Sequence, residues 1–193
     1  MPQLAWRFLC FVLLHSLLAA DFVKVWIAVH VPSSRRWYRL AYNILALASF
    51  WWVMSAIPGS PRLYAVPAPA VPLLYGIQVA ALLLLCRCAA QTGLGDFLGF
   101  RQLRHLSETP LIVVTTGCYH HVRHPQYTLA VVLLAATPKM SVNFAILTLL
   151  STLYFIWGGY IEERRLLSVY GDEYRHYQMT TPMFIPRLRR NLR

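Results

Sequence analysis

The chain is short of charge. Asp, Glu, Lys and Arg make up only 13% of its 193 residues, about half the share of an ordinary soluble domain. So few charges cannot dress a soluble surface, and the 58% of residues that are hydrophobic must therefore face lipid as well as one another. Twelve prolines and nine glycines are too few and too scattered for a disordered or fibrous chain. The four cysteines, Cys10, Cys86, Cys88 and Cys118, include no Cys-x-x-Cys pair. Cys86 and Cys88 are two apart and point in different directions on a helix. Neither a metal site nor a disulfide framework is expected; buried thiols are. A Gly-x-Gly-x-x-Gly phosphate loop is also missing.

What the chain does have is long apolar runs, each to be set against the roughly 20 residues a spanning helix needs. The first covers about Leu4 to Val29. It opens like a signal peptide, but a cut after Ala20 would put Leu18 where a small residue is required, and the apolar pattern continues past Asp21, so a retained helix is expected. Further spans are expected over about Trp37–Ile57 and Leu73–Ala90, separated by a loop too rich in proline to be helical. After a polar stretch from Gln91 to Pro125 come two apolar segments, Gln126–Thr137 and Ser141–Tyr160, separated only by Pro138-Lys139-Met140. The first is too short to cross unaided, so the pair predicts a tight helical hairpin. The fold class expected is all-α: a polytopic membrane protein with about five transmembrane helices and a C-terminal helix on the cytoplasmic side.

The net charge of +11 does not point to nucleic acid, because the basic residues lie between the apolar runs and after the last, where positive-inside topology places them. Arg35, Arg36 and Arg39 fill the first loop, Arg62 stands nearly alone in the second, and Arg101, Arg104 and Arg123 lie in the third. Lys139 marks the hairpin tip, and the tail carries Arg164, Arg165, Arg175, Arg187, Arg189, Arg190 and Arg193. This alternation predicts a multi-pass protein with its N-terminus outside, its C-terminus in the cytoplasm and arginines that touch anionic membrane lipids; the short loops and minimal tail suggest a prokaryotic inner membrane. The long polar loop and the tail then share one compartment.

Those two segments hold the unusual chemistry. Gly117-Cys118-Tyr119-His120-His121-Val122-Arg123-His124-Pro125-Gln126-Tyr127 stands just before a membrane helix, with Pro125 suited to its first turn. Unpaired N–H groups at a helix start can receive a carboxylate. Glu162 and Glu163 stand at the end of the last span, where they could bind an ammonium, ribose hydroxyls or a cationic centre. Tyr170-Gly171-Asp172-Glu173-Tyr174-Arg175-His176-Tyr177 adds aromatics able to cover a planar base.

In this order, Gly-x-Tyr-x-x-x-Arg-His-Pro-x-Tyr, Glu-Glu, Tyr-Gly-Asp-Glu-Tyr-x-x-Tyr and Phe184-Ile185-Pro186 resemble the isoprenylcysteine carboxyl methyltransferase family, over roughly Leu111 to Arg187. Phospholipid methyltransferases are more distant relatives. The N-terminal half, with His15-Ser16-Leu17-Leu18-Ala19-Ala20, Val23-Lys24, Arg36-x-Tyr38 and Asp96-Phe97-Leu98-Gly99-Phe100-Arg101-Gln102, looks like the nurim and NnrU-like branch, to which bacterial methanethiol S-methyltransferases are similar. The resemblance implies an S-adenosylmethionine-dependent methyltransferase acting on a lipophilic or small acceptor: an isoprenylcysteine carboxylate, a thiol or a lipid. It implies one membrane domain over 1–193, with three helices in 1–90 and the cofactor-binding half in 91–193. By carry-over, Gly117, Tyr119, His124, Pro125, Tyr127, Glu162, Glu163 and Tyr174 would hold the cofactor, and Arg123, His124 and Glu163 would be catalytic. No metal is implied. A thiol acceptor would need a base, for which His120 and His121 are candidates. After Tyr127 the family often has a glycine nearby where this chain has Thr128-Leu129-Ala130, a bulkier lining. Two alternatives stay open: a nurim or NnrU-type protein without methyltransferase activity, and an NADPH-dependent membrane reductase. Oligomeric state is not legible.

Three polar residues in the first apolar run are expected to matter, because such groups are costly in a membrane. Asp21 and Lys24 are three apart and can pair on one helical face; His15 has no obvious intramembrane histidine partner for a metal or haem.

Overall fold

A computed structural model describes residues 2–104 and 113–187, without the side chains of 96, 97 and 104. Arg189, Arg190 and Arg193, the start of the motif region at Leu111, and the side chains of Asp96, Phe97 and Arg104 thus lie outside the described residues. The chain is predominantly helical. Three helices are long and apolar enough to cross a membrane by length and composition: Pro2–Ala19 (α1), Ala68–Gln91 and Val142–Tyr170 (α9). The second comprises a 3-10 turn, Ala68–Ala70, leading into α4, Val71–Gln91. The count of five expected from the sequence rests on two further helices. One is α3, Ser34–Met54, which is 21 residues long but starts on Ser34-Arg35-Arg36. The other is α8, Pro125–Ala135, an apolar helix of 11 residues that reaches only about half the hydrocarbon thickness.

The first expected span differs from its single-helix reading. It is broken at Ala20, whose backbone is extended, and restarts as α2, Asp21–His30. The break has a local cause. Asp21 begins α2, where a carboxylate meets the positive end of the helix, and it takes the predicted ion pair from Lys24 at 2.9 Å. The proline-rich loop is non-helical apart from the 3-10 turn, and contains a short strand, β1 (Arg62–Ala65), paired antiparallel with β2 (Lys139–Ser141) around a bulge. That two-stranded ribbon has no counterpart in the sequence reading.

The residues gather into two compact units that interleave along the chain. The first comprises Met1–Ala65, Gly93–Pro110 and Lys139–Leu150. In it α1 packs on α3, which also meets two short helices, α5 (Leu94–Leu98) and α6 (Phe100–Arg104). Gly99, at φ 89°, lies so close to the backbone of α3 that a Cβ would stand 2.8 Å from the Leu40 nitrogen. The Arg7 guanidinium closes the far end of α3, donating to the Trp52 carbonyl at 3.1 Å and to Ser55 Oγ at 2.7 Å. His15 stacks on Phe11 and shares a 2.8 Å hydrogen bond with the Tyr42 hydroxyl.

The second unit comprises Val66–Thr92, Leu111–Pro138 and Ser151–Arg193. Its main packing is α4 against α8. The α4 residues Ala81, Cys88 and Ala89 are buried, and small side chains let membrane helices approach closely. Gln78 crosses the interface to donate to the Leu133 carbonyl at 3.0 Å. After α9 the chain turns at Gly171, φ 57°, into α10, Asp172–Thr180. The tail then passes so close to α9 that a Cβ on Gly159 would meet Met183 and Phe184 at 2.9 Å.

Candidate active site

The site lies in the second unit and is assembled from three stretches far apart in sequence. Its first part is a turn. Gly117 adopts φ 61°, ψ −122°, a backbone shape that in practice only glycine holds. It opens the one-turn helix α7, Cys118–His121. Val122 is buried, and the chain returns to helix at Pro125, the first residue of α8, as its fixed φ favours. The N-terminus of α8 carries no side-chain cap.

Glu163 is the hub. Its carboxylate takes Arg123 Nε at 2.7 Å on one oxygen and Arg123 Nη2 at 2.9 Å on the other, a bidentate pair whose two side chains are only 10% and 8% exposed. It also accepts from His124 Nε2 at 2.9 Å, from the Tyr174 hydroxyl at 3.0 Å and from the Gln178 amide. The rest of the Arg123 fork donates to the Gln178 carbonyl at 3.1 Å and to the Thr181 carbonyl, closing the C-terminal end of α10. One buried charge pair thus ties the Arg-His-Pro turn, α9 and α10 together. Its backbone surroundings do the same: Arg123 N–H donates to the Pro182 carbonyl at 2.9 Å and His124 N–H to the Met183 carbonyl at 3.0 Å.

Glu162 is placed differently. Its side chain keeps 46% of its surface open, and its carboxylate takes the Tyr127 hydroxyl at 3.0 Å and faces His124 Nδ1 at 3.5 Å. His124 therefore stands between two carboxylates, with one ring nitrogen toward each. Its burial disfavours the imidazolium, but hydrogen bonds to and the charge of Glu162 and Glu163 outweigh that and raise its pKa above 6.5. The species that satisfies both acids is the doubly protonated ring. The rings of His124, Tyr127 and Phe155 stack nearly parallel, at 5.4 and 5.3 Å, and Phe184 leans on His124.

Burial, with the Glu163 charge second, pushes the Tyr174 hydroxyl up well beyond its usual range, so it remains a donor. Tyr177, also raised by burial, to about 12, donates to the Tyr119 carbonyl and so holds α7 to α10. The Tyr119 hydroxyl is likewise raised, by burial and then by Glu162, against a hydrogen bond from Thr92.

A match to the family model described as phospholipid methyltransferase covers residues 71–173, more than half of the chain, including Arg123, His124, Tyr127, Glu162 and Glu163. The chain belongs to the phospholipid methyltransferase family. Among relatives it is 29% identical to the methanethiol S-methyltransferase of Pseudomonas deceptionensis, over 94% of this chain and 71% of that protein. It is 30% identical to the methanethiol S-methyltransferase of Mycobacterium tuberculosis, over 91% of this chain and 74% of the relative. No solved structure matches it significantly. The likeness to the isoprenylcysteine carboxyl methyltransferase-like membrane family seen in the motifs is thereby shown. A membrane methyltransferase is what the family and the apolar helices together describe.

Of the residues singled out from sequence, Arg123, His124, Tyr127, Glu162, Glu163 and Tyr174 meet directly, while Tyr119 joins through Tyr177. Gln178 and Tyr177 were passed over as ligands of the hub and the turn, although they stand four and three residues from Tyr174 on one helical face. Gln91 was missed as well: Cys118 N–H donates to its Oε1 at 3.0 Å. The expectation of buried thiols needs correcting: Cys88 and Cys118 are joined in a disulfide, and of the two free cysteines Cys10 is part-exposed and Cys86 exposed. The partners are 30 residues apart, and only the packing of α7 on α4 brings them together. Among the described residues no group of three or more His, Cys, Asp or Glu side chains is arranged to hold a metal ion.

Proposed function

We propose that the protein moves a methyl group from S-adenosylmethionine to a small thiol, with methanethiol the leading acceptor. The observation that carries this reading is the company Glu162 keeps. A half-open carboxylate stands against the Tyr127 hydroxyl and faces His124, the residue before the uncapped N-terminus of α8, a donor and acceptor set suited to a ligand that is both cationic and zwitterionic. Bound there, S-adenosylmethionine would supply the methyl group on a sulfonium, an electrophile that needs no acid to release its thioether.

The work left to the chain is holding, ordering and drying. Glu162 receives the positive end of the cofactor, and the first N–H groups of α8 after Pro125 receive its carboxylate. Gly117 and Tyr119 line the approach. Arg123 and Glu163 are spent on each other and on α10, so their part is to hold this frame, with Tyr174 and His124 as its cross-ties. Alignment with water excluded is the main demand of methyl transfer. A thiol loses one proton on becoming a thioether. The exposed imidazoles of His120 and His121 are the bases at hand, because His124 is committed as a donor between two acids.

Two observations favour a compact acceptor over a prenyl chain. The relatives named methanethiol S-methyltransferases match across nearly the whole chain. Thr128, where the wider family often has a glycine nearby, bonds the His124 carbonyl at 3.3 Å and the Phe184 carbonyl at 2.9 Å, closing the tail onto α8.

The test is calorimetric titration of the detergent-purified protein with S-adenosylhomocysteine, with NADPH as control. A product assay follows, using methanethiol and a farnesylated cysteine as acceptors. Micromolar binding that falls in Glu162→Gln and His124→Ala, with dimethyl sulfide formed from methanethiol, is the expected result. A folded protein that binds NADPH and ignores the adenosyl ligand would be a reductase.

A further inference from the structure

Cys88 lies on the last turn of α4 and Cys118 opens α7; their Cα atoms are 5.7 Å apart across the disulfide, an ordinary separation for such a bond. The link stands next to both Gly117 and Tyr119. The same two helices are clasped a second time by Gln91, whose Oε1 accepts the Cys118 N–H at 3.0 Å. Its amide lies so tightly over Gly117 that a Cβ there would stand 1.8 Å from Nε2. A third tie comes from α10, through the Tyr177 hydroxyl on the Tyr119 carbonyl. Of these three ties on the turn, only the sulfur–sulfur bond is covalent and opened by chemistry.

The two cysteines are unequally exposed. Cys88 is 1% exposed, whereas Cys118 is part-exposed. An incoming thiolate therefore meets Cys118 Sγ, forming a mixed disulfide there while Cys88 leaves as the thiolate. A second thiol then attacks the outer sulfur of that mixed disulfide and frees Cys118. Two small thiols become one small disulfide, and both cysteines end as thiols after taking up the two protons released.

We propose that Cys88 and Cys118 form a reversible thiol–disulfide modification site, worked by low-molecular-weight thiols, that sets the order of the Gly117–His121 turn and through it the affinity for the methyl donor. The link to affinity rests on the methyltransferase reading above; the site itself does not. A small alkanethiol acceptor belongs to the same chemical class as the opening reagent, so a rise in acceptor would also loosen the turn.

The experiment uses the full chain in detergent, held oxidised with glutathione disulfide or reduced with dithiothreitol. The bond is located by peptide mass after alkylation. Amide hydrogen exchange over 117–121 and S-adenosylhomocysteine affinity are then read in both states. Expected are a Cys88–Cys118 cross-linked peptide in the oxidised arm, faster exchange on reduction, and affinity weakened roughly fivefold, the low end of typical coupling between sites. Cys88→Ser/Cys118→Ser should behave as reduced protein in both arms, and Cys10→Ser/Cys86→Ser as wild type. Equal exchange and equal affinity in wild-type arms whose bond state is verified would overturn the proposal, as would the absence of the cross-link under oxidation. If exchange follows the bond but no adenosyl ligand binds in either arm, the thiol site stands and the methyltransferase reading fails.

Discussion

Two neighbouring acids, identical in side chain, have been given different work by one step along a helix. Glu163 points into the protein and is saturated by donors from Arg123, His124, Tyr174 and Gln178; Glu162 stays half-open. Their variants should separate accordingly. Glu163→Gln leaves a buried guanidinium without its counter-charge, so thermal or denaturant unfolding in detergent should show a loss of about 3–5 kcal/mol. Glu162→Gln should stay within about 1 kcal/mol of wild type in the same assay, yet weaken S-adenosylhomocysteine roughly tenfold, the worth of one charged hydrogen bond. A reversal of that order would sink the division of roles. His124 supplies a pH signature. Its folded pKa is raised above 6.5, so its contribution to stability is complete below that value and is lost as pH rises through the higher folded one. Melting temperatures followed from pH 6 upward should fall more in wild type than in His124→Gln.

At the scale of elements, the Gly117–His121 turn and the α4–α8 pair are where single changes should be felt. Gly117→Ala combines a conformation closed to side chains with a collision against Gln91, and is expected to cost about 1–3 kcal/mol, visible as a lower unfolding midpoint. Gln78→Leu removes the bond to the Leu133 carbonyl and should cost about 1 kcal/mol, as interhelical hydrogen bonds in membranes typically do; an unchanged midpoint would mean that apolar packing alone holds the pair. Helix limits were largely legible beforehand, because length, hydropathy and proline placement act locally. The break at Ala20 was not, since an apolar run continues across it and only the extended backbone there reveals a new helix.

For the whole molecule, large apolar side chains stand open on the described surface, Trp51 at 78%, Leu47 at 71% and Trp157 at 66% exposed among them, and in a chain with so little charge that surface is a lipid-facing one. The protein should stay with membranes through an alkaline carbonate wash. The proposed cytoplasmic C-terminus can be read with fusions: a green fluorescent protein at the C-terminus should glow and alkaline phosphatase there should be silent, and the opposite pattern would move the candidate site outside. The sequence by itself determined the membrane class, the approximate helices and the identities of the acids, histidine and tyrosines that meet, because hydropathy and ordered motifs are properties of the chain. Only the tertiary structure decided that Glu163 and Arg123 neutralise each other, that Glu162 does not share that burial, and that Cys88 reaches Cys118. Those facts depend on which faces of α4, α7, α9 and α10 are turned together, and contacts 30 or 40 residues apart leave no period or spacing to read.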